Sequence, residues 1–369
     1  MPDVTSAVYA GLLRPLLFRL DPERAHDLAL RALSIEAPWR VLGALSPPPD
    51  PRLRVELAGL VLPTPVGLAP GLDKNGHAVR ALARLGFGYV VIGSITPLPR
   101  AGNPRPRLLR DPAQQATINS LGLPGVGLER AVAGLRRMGR IDVPLIASVA
   151  GFSPEELVEA AAAVEPHVDA VEIGLVCPNS TETERLRELD MYSVLVRRLT
   201  EQRRKPVFVK LPPHRDEATA ANVREMVALA ADTGIDGLSV SGSRPIVTSR
   251  LATGRGSLAG RPVFPDTLRI VTEVAGWARG RLPVRAGGGV FTGSDALEML
   301  QAGAAAVEVY SAFIYRGPTA ARQISRELLA CMEREGLAAL PRPETQGLRA
   351  AADDGTEATL LRPGRSRSA

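Results

Sequence analysis

Residues 284–311 read VRAGGGVFTGSDALEMLQAGAAAVEVYS and contain one strand–helix–strand unit. Val284–Ala286 is a short apolar run, Gly293–Ala302 has the apolar spacing of a helix, and Ala306–Tyr310 is a second apolar run. Two strands that are joined through a helix run parallel in one sheet. This stretch therefore predicts a parallel βαβ unit, with a glycine-rich turn after its first strand.

The same alternation extends back along the chain. Helix-period segments such as Pro154–Val164 and Ala220–Thr233 separate the strands. Six earlier runs complete the set: Val66–Ala69, Tyr89–Gly93, Leu145–Val149, Ala170–Leu175, Val207–Leu211 and Gly237–Ser241. Eight such units in about 245 residues predict an α/β fold, a (β/α)8 TIM barrel. A doubly wound sheet is the main alternative, but no GxGxxG follows the first strand.

Composition divides the chain into three predicted regions. Residues 1–52 form a small N-terminal helical module, in which Ser6–Leu20 has helical spacing and Asp21 caps a second helix over Pro22–Ser34. The module lacks a small-residue cleavage site, so a secretory signal is not expected. Residues 53–338 form the barrel. Residues 339–369 lack an apolar period, and we expect them to be a disordered tail.

The composition excludes several classes of function. Two cysteines and four scattered histidines in 369 residues predict no disulfide scaffold and no metal site. The net charge of +6 comes from arginines spread along the chain, and aromatic residues make up only 4%, so we expect no nucleic-acid partner. No apolar run is long enough to span a bilayer.

The carboxyl ends of the predicted strands carry the reactive residues, as expected for a barrel. These ends are Gly71–Lys74, Gly93-Ser94, Ser148, Cys177-Pro178-Asn179, Lys210, Ser241–Ser243, Gly287–Gly289 and Tyr310-Ser311. The last two ends predict a phosphate site built from backbone amides, with Ser294 or Asp295 starting the next helix. Three glycines in a tight turn are the alternative, but the position of these ends in the chain favours the phosphate site.

The lysines and Cys177 have competing interpretations. Lys74 and Lys210 are each compatible with a structural ion pair, such as Lys74 with Asp73, with stabilisation of an anion, or with a Schiff base. Cys177 precedes a proline and is compatible with proton transfer or with a buried apolar role. Cys331, on an apolar C-terminal helix, is expected to be structural.

Several motifs together resemble one known family. They are Leu20–His26, Gly71–Gly76, Gly86–Gly88, Ile92–Pro97, Gly102–Arg107 with Arg110, Gly260–Pro262 and Tyr310–Ile314. In this order, across residues 9–335, they resemble dihydroorotate dehydrogenase, and the N-terminal helices resemble its class 2, the membrane-associated, quinone-linked branch. The resemblance implies oxidation of dihydroorotate to orotate in pyrimidine synthesis, with FMN as cofactor and a quinone as acceptor. It also implies peripheral contact with the cytoplasmic side of the cell membrane, or a cytoplasmic protein if the helices do not bind membrane.

The resemblance also assigns roles to residues. Cys177 would be the catalytic base, and His26 and Arg110 match the quinone tunnel. The FMN positions would be Ala69, Pro70, Gly71, Lys74, Ser94, Ser148, Gly174, Lys210, Ser241, Gly260, Gly288, Gly289, Tyr310 and Ser311. The substrate positions would be Lys74, Asn119, Ser120, Leu121, Gly122, Leu123, Gly174, Asn179, Gly242 and Ser243.

The chain departs from the family pattern at five places. Class 2 members use a serine where this chain has Cys177. The family's asparagines at Gly174, Gly242 and Ser148 are missing, and Asn119–Leu123 replaces an Asn-Arg-x-Gly-Phe loop. Losing amides that read a pyrimidine ring reduces its recognition. Three alternatives stay open: a flavin enzyme for another dihydropyrimidine-like or cyclic ene compound, a Schiff-base lyase on Lys210, and a silent flavoprotein.

Overall fold

The computed structural model describes residues 4–175 and 185–341. The strands in chain order are β1 (Val55–Leu57), β2 (Leu60–Leu62), β3 (Val66–Leu68), β4 (Val90–Ile95), β5 (Leu108–Asp111), β6 (Ala116–Asn119), β7 (Leu145–Val149), β8 (Ala170–Gly174), β9 (Val207–Lys210), β10 (Gly237–Ser241), β11 (Arg244–Val247), β12 (Arg255–Gly260), β13 (Val284–Gly287) and β14 (Ala304–Val309).

The α-helices are α1 (Val4–Val8), α2 (Arg14–Arg19), α3 (Pro22–Ser34), α4 (Glu36–Ala44), α5 (Val79–Ala83), α6 (Leu128–Met138), α7 (Pro154–Val164), α8 (Leu189–Gln202), α9 (Glu217–Thr233), α10 (Phe264–Ala278), α11 (Gly293–Gln301), α12 (Ser311–Arg316) and α13 (Ala320–Arg334). None of them within the described ranges combines the length and apolar character needed to cross a bilayer.

Eight parallel strands close into a barrel in the order β3, β4, β7, β8, β9, β10, β13, β14. The closing contact pairs β14 with β3, with Val307 opposite Val66. The predicted TIM barrel is therefore confirmed, and all eight predicted strands are present. The largest differences in their bounds are at β4, which extends two residues further to Ile95, and at β14, which starts two residues earlier at Ala304.

Two smaller sheets cover the ends of the barrel. At the amino end of the strands, the hairpin β1–β2 packs Leu57 and Leu62 against Tyr89 and Phe208 inside the barrel. The antiparallel sheet β11–β12–β6–β5, which we call the cover sheet, is built from segments that follow β4 and β10. The cover sheet was not predicted, because it pairs segments that lie far apart in the chain.

The N-terminal module contains the predicted second helix at its predicted bounds. The Asp21 side chain accepts hydrogen bonds from the amides of Glu23 and Arg24, and Pro22 occupies the first turn of α3. The segment predicted to be helical over Ser6–Leu20 is helical without interruption from Val4 to Arg19, but it is not α-helical throughout. A π-helical turn over Tyr9–Leu13 separates α1 from α2, and α4 is an additional helix.

Substitution of Gly67 tests the packing inside the barrel. A Cβ atom at Gly67 would lie 2.2 to 2.5 Å from three ring atoms of Tyr89, whose side chain is fully buried. We expect Gly67→Ala to lower the free energy of unfolding by about 1–3 kcal/mol in urea denaturation.

The matched control is Gly276→Ala on α10, where no atom lies within 4 Å of the added methyl group. Because alanine favours the helix, this variant should gain about 0.5–1 kcal/mol. Equal unfolding midpoints for the two variants would contradict this description of the packing.

Candidate active site

The carboxyl ends of β4, β7, β8 and β9 bring four predicted residues together. The hydroxyl oxygens of Ser94 and Ser148 lie 3.0 Å apart. A Cβ at Gly174 would be 3.6 Å from the Ser94 hydroxyl and 3.8 Å from that of Ser148. Gly174 is also in register with Lys210 on the next strand. A Cβ at Gly174 would also lie 3.1 Å from the Val149 carbonyl oxygen, so a side chain there would need a small shift of its neighbours.

The ends of β10, β13 and β14 carry the predicted phosphate site. Ser241 is in register with Gly287, and Gly288 and Gly289 have φ angles of 119° and 83°, which favour glycine. The backbone amides of Gly288, Gly289 and Tyr310 have no hydrogen-bond acceptor within the described chain. These amides can therefore bind a phosphate. Ser311 begins α12 beside them.

The helix after the glycines starts at Gly293, as the segment Gly293–Ala302 predicts, and not at Ser294 or Asp295. The N-cap of α11 is Thr292, whose side chain accepts from the Asp295 amide, while the Asp295 carboxylate accepts from the Phe291 and Thr292 amides. This capping box occupies the donors at the start of α11. The free glycine amides therefore offer the better phosphate contacts.

Ala69, Pro70 and Gly71 follow β3 and lead to Lys74. The Lys74 ammonium donates a hydrogen bond of 2.8 Å to the Gly71 carbonyl. Burial lowers the pKa of Lys74 to about 8, the nearby Arg107 charge lowers it too, and Asp73, Glu23 and Asp27 oppose the shift. The structure does not form the ion pair considered for Lys74 and Asp73. Asp73 instead accepts from the amides of His77 and Ala78, before α5.

The predicted substrate loop follows β6 in the cover sheet. Asn119 ends the strand, and Ser120 is buried with a hydroxyl group that has no partner in the described chain. Leu121, Gly122 and Leu123 continue the loop, with Leu123 in the left-handed region at φ 57°. Among the described residues, this buried hydroxyl is available to bond a polar group placed at the loop. Cys177 and Asn179 lie outside the described residues.

Gly242 lies in a space that admits no side chain. A Cβ there would be 2.4 Å from the Thr267 hydroxyl and 2.5 Å from the Thr267 amide nitrogen. The Thr267 hydroxyl accepts from the Gly242 amide at 3.1 Å and donates to the Val263 carbonyl at 2.9 Å. Ser243 follows, and its carbonyl accepts from Arg215. Gly260 ends β12, and a three-residue turn, Arg261–Val263, connects it to α10.

A cluster of buried charged residues lies inside the barrel, below these strand ends. The sequence patterns did not predict it. Arg285 is fully buried and pairs with Glu172 at 2.6 Å and with Glu308 at 3.0 Å. The Ser239 hydroxyl also donates to Glu172. Burial raises the pKa of Glu308. For Glu172, burial is outweighed by the charges of Lys210 and Arg285, so the pKa of Glu172 is lowered.

An apolar cavity of about 220 Å³ lies between the N-terminal helices and the barrel. His26 and Arg110 both line it, together with Leu17, Phe18 and Phe313. The Arg110 guanidinium lies over the Phe18 ring at 4.4 Å and donates to the carbonyls of Leu17 and Leu20. Tyr310 lines both this cavity and a polar cavity of about 270 Å³ that contains Lys74.

The residues present fit a flavin nucleotide. Free amides at Gly288, Gly289 and Tyr310 suit its phosphate, and the hydroxyls of Ser94 and Ser148 lie beside Gly174, which adds no side chain at this point of the rim. Lys74 and Lys210 supply positive charge at the same rim, which suits a ring system that becomes anionic on reduction.

Comparison with known proteins decides the family. The family model "Dihydroorotate dehydrogenase" matches residues 52–332. The chain belongs to the dihydroorotate dehydrogenase family. A Methylococcus capsulatus relative, named dihydroorotate dehydrogenase (quinone), is 37% identical over 353 residues, covering 88% of this chain and 99% of the relative. A Sphingopyxis alaskensis relative of the same name is 37% identical over 351 residues, covering 91% and 96%.

A solved structure of the same family agrees. The crystal structure of DHODH in complex with ferulenol from Eimeria tenella superimposes with a TM-score of 0.75 at 29% identity, covering 89% of this chain and 96% of that chain. The resemblance to class 2 is confirmed, and family membership implies a flavin cofactor. It replaces the Schiff-base lyase considered for Lys210.

The environment of His26 predicts a pH dependence of stability. Burial lowers the pKa of His26 to about 4, and the neighbouring Lys74 charge contributes. Because unfolding returns this pKa to about 6.5, the unfolded chain binds a proton between pH 6.5 and 4 that the folded chain excludes. Stability is therefore retained above pH 6.5 and lost as the pH falls toward 4.

We expect the wild-type protein to lose about 1–2 kcal/mol more stability than His26→Gln between pH 7 and pH 5, measured by urea unfolding. His77→Gln, which removes an exposed imidazole from a neighbouring position, is the control. A wild-type pH dependence equal to that of His26→Gln would show that His26 is not held neutral by the fold.

Proposed function

We propose that this protein is an FMN-dependent enzyme that oxidises (S)-dihydroorotate to orotate and passes the electrons to a quinone, in the synthesis of pyrimidines. The observation that carries the proposal is the arrangement of two sites around one rim. Free amides, hydroxyls and lysines lie together at the carboxyl end of the barrel strands. The apolar cavity that contains His26 and Arg110 borders the same rim, and Tyr310 lines both.

Each proposed residue has a role in binding. Gly288, Gly289, Tyr310 and Ser311 bind the FMN phosphate through backbone amides, and Ala69–Gly71, Ser94, Ser148, Gly174, Lys210, Ser241 and Gly260 surround the rest of the nucleotide. Bound FMN would accept a hydride from the substrate and then pass the two electrons to the quinone. Lys74 faces the rim and supplies positive charge to the substrate carboxylate.

The proposed base is Cys177. A thiolate removes the proton from C5 of dihydroorotate, and the thiol ionises far more readily than the serine hydroxyl that class 2 members use. Asn119, Ser120–Leu123, Asn179 and Ser243 bind the pyrimidine ring. Of these, Ser120 has the buried hydroxyl without a partner.

The acceptor site is the apolar cavity. A quinone ring and its tail fit an apolar space between helices, where His26 is neutral at pH 7 and Arg110 supplies a cation. The relatives named dihydroorotate dehydrogenase (quinone), which this chain matches over 96–99% of their length, support a quinone as the acceptor.

A second candidate is a related FMN enzyme that acts on another dihydropyrimidine-like or cyclic ene compound. The observation in its favour is Gly242, because Thr267 fills the space that a side chain would need, so an amide at this position is sterically excluded. Gly174 and Ser148 also lack the amides that would read the ring.

Orotate formation tests the proposal and the base together. We expect flavin-loaded protein to form orotate from dihydroorotate with a quinone as acceptor, and Cys177→Ala to lower the rate by about 10²–10⁴-fold. Cys177→Ser should retain measurable activity. Dihydrouracil and dihydrothymine, which lack the carboxylate, should be oxidised more slowly than dihydroorotate.

Cys331→Ala is the matched control, since Cys331 is buried on α13, away from the strand ends. It should leave orotate formation unchanged. Full activity in Cys177→Ala would remove Cys177 as base, and faster oxidation of a compound other than dihydroorotate would favour the second candidate.

We also propose that the N-terminal helices contact the cytoplasmic side of the cell membrane. The exposed large apolar side chains concentrate there: Val8, Leu12, Leu13, Leu16, Leu20, Leu28, Ile35, Val41 and Leu45, against four in the remainder of the described chain. A helical surface with this many exposed apolar groups, next to an apolar cavity, suits an interfacial position on a bilayer.

Vesicle binding tests the membrane contact. The double substitution Leu12→Glu and Leu16→Glu should lower co-sedimentation with phospholipid vesicles by about tenfold or more, because each leucine loses burial worth about 1.5 kcal/mol or more. Val247→Glu, at an 87% exposed position on β11, is the control. Binding of the double variant equal to that of the wild-type protein would exclude the π-helical turn and α2 as the contact.

A further inference from the structure

The substrate loop is braced by the segment Ala101–Asn103. The amide of Asn103 donates to the Leu121 carbonyl at 2.9 Å, and the Asn103 side-chain amide donates to the Ser120 carbonyl at 2.9 Å. A Cβ at Gly102 would lie 2.4 Å from the Leu121 carbonyl oxygen, and one at Gly122 would lie 2.6 Å from the Asn103 side chain. The two segments are therefore in direct contact, and glycine permits the approach on both sides.

Arg107 holds the bracing segment in place. One terminal nitrogen of its guanidinium donates to the carbonyls of Ala101 at 2.6 Å and Asn103 at 3.0 Å. Its own carbonyl accepts from the Ser120 amide at 2.8 Å. The side chain is 9% exposed. Arg107 therefore contacts both the brace and the loop, through its side chain and its backbone.

The remaining guanidinium donors of Arg107 are directed at the N-terminal module. Its Nε and Nη2 atoms donate to one carboxylate oxygen of Glu23, at 3.0 and 2.9 Å. Glu23 is 12% exposed. Hydrogen bonds between charged partners are stronger than neutral ones, and this pair is largely shielded from water.

Glu23 belongs to the helix that lines the apolar cavity. It lies in the first turn of α3, which Asp21 caps, and Ala25, His26 and Ala29 of the same helix line the cavity. Arg110, three residues after Arg107, holds the preceding turn through the carbonyls of Leu17 and Leu20. The start of α3 is therefore attached to the segment before the cover sheet through Glu23 and Arg107, and the turn before α3 is attached to β5 through Arg110.

We propose that Glu23 is a positioning residue that lets the N-terminal helices set the shape of the substrate loop, through Arg107 and the segment Ala101–Asn103. When an acceptor or a membrane displaces α3, the position of Arg107 changes, and with it the affinity of the substrate loop for the pyrimidine ligand. Glu23 acts on the loop through Arg107 and not by direct contact. This proposal takes the ligand of the loop from the proposed function, but the connection between α3 and the loop stands on the contacts alone.

The test is amide hydrogen exchange of the flavin-loaded protein, read by mass spectrometry on peptides that cover residues 100–104 and 118–125. In Glu23→Ala, we expect the amides of Asn103 and Ser120 to exchange about tenfold faster or more, because Arg107 loses its charged partner. Glu23→Gln, which keeps an acceptor without the charge, should give an intermediate rate. Peptides from β7, β8 and β9 should not change.

Arg105→Ala is the matched control. Arg105 pairs with the other oxygen of the same Glu23 carboxylate at 3.1 Å, but its side chain is 63% exposed, and within the described residues it is Arg107 that donates hydrogen bonds to the brace. It should leave loop exchange unchanged. Unchanged exchange in Glu23→Ala, an equal change in Arg105→Ala, or a uniform increase across the barrel would each overturn the proposal.

Ligand binding provides the second readout. Spectral titration with orotate should give a dissociation constant raised about tenfold in Glu23→Ala, while KM for the quinone changes less than twofold. Faster loop exchange with unaltered orotate affinity would also overturn the proposal. If the wild-type protein binds no orotate, the proposed function fails, and hydrogen exchange alone still decides whether Glu23 controls the loop.

Discussion

The ion pairs of Arg285 inside the barrel connect the structural core to the proposed site. One guanidinium bridges Glu172 on β8 and Glu308 on β14, and it also donates to Ser239 on β10. A buried charge is tolerated only when its partners are fixed, because each unpaired ion in such a place costs several kcal/mol. The cluster therefore fixes strands on opposite sides of the barrel relative to one another, immediately below the residues that would bind the flavin.

Its charges also reach the rim. Lys210 interacts electrostatically with both Glu172 and Glu308, Ser148 contributes to the lowered pKa of Glu172, and the Ser148 hydroxyl lies 3.0 Å from that of Ser94. The rim is thus the upper layer of a polar network whose lower layer is the Arg285 cluster. The apolar cavity beside α3 has the opposite character, and His26 is neutral there because burial disfavours its charged form. A polar rim next to an apolar cavity separates the place where dihydroorotate would bind from the place where a quinone would bind.

The sequence predicts the barrel well because each of its strands is a local apolar run followed by a helix-compatible segment. It also predicts α3, because Asp21 and Pro22 are local signals for a helix start. The cover sheet escapes prediction because its strands are short and half-buried, and β6 pairs with β12 across more than 130 residues. The Arg285 cluster is not predicted because Arg285 lies in a strand where the local pattern favours an apolar residue. Its partners Glu172 and Glu308 come from other strands, β8 and β14.

The candidate site shows the same division. The glycines, serines and lysines at the strand ends are found from position alone, and the structure brings Ser94, Ser148, Gly174 and Lys210 together. Two features are not predicted by any local pattern, because each is a contact between segments that lie apart in the chain. They are the packing of Thr267 against Gly242 and the ion pair between Glu23 and Arg107. Cys177 stays a prediction from the resemblance, since it lies outside the described residues.

The most direct test of the account is the absorbance of the bound flavin under anaerobic conditions. We predict that the purified protein binds FMN, that (S)-dihydroorotate bleaches the flavin band with formation of one orotate per flavin, and that added quinone restores the band. Protein that takes up no flavin, or a flavin that dihydroorotate leaves oxidised while another dihydropyrimidine reduces it, would contradict the account.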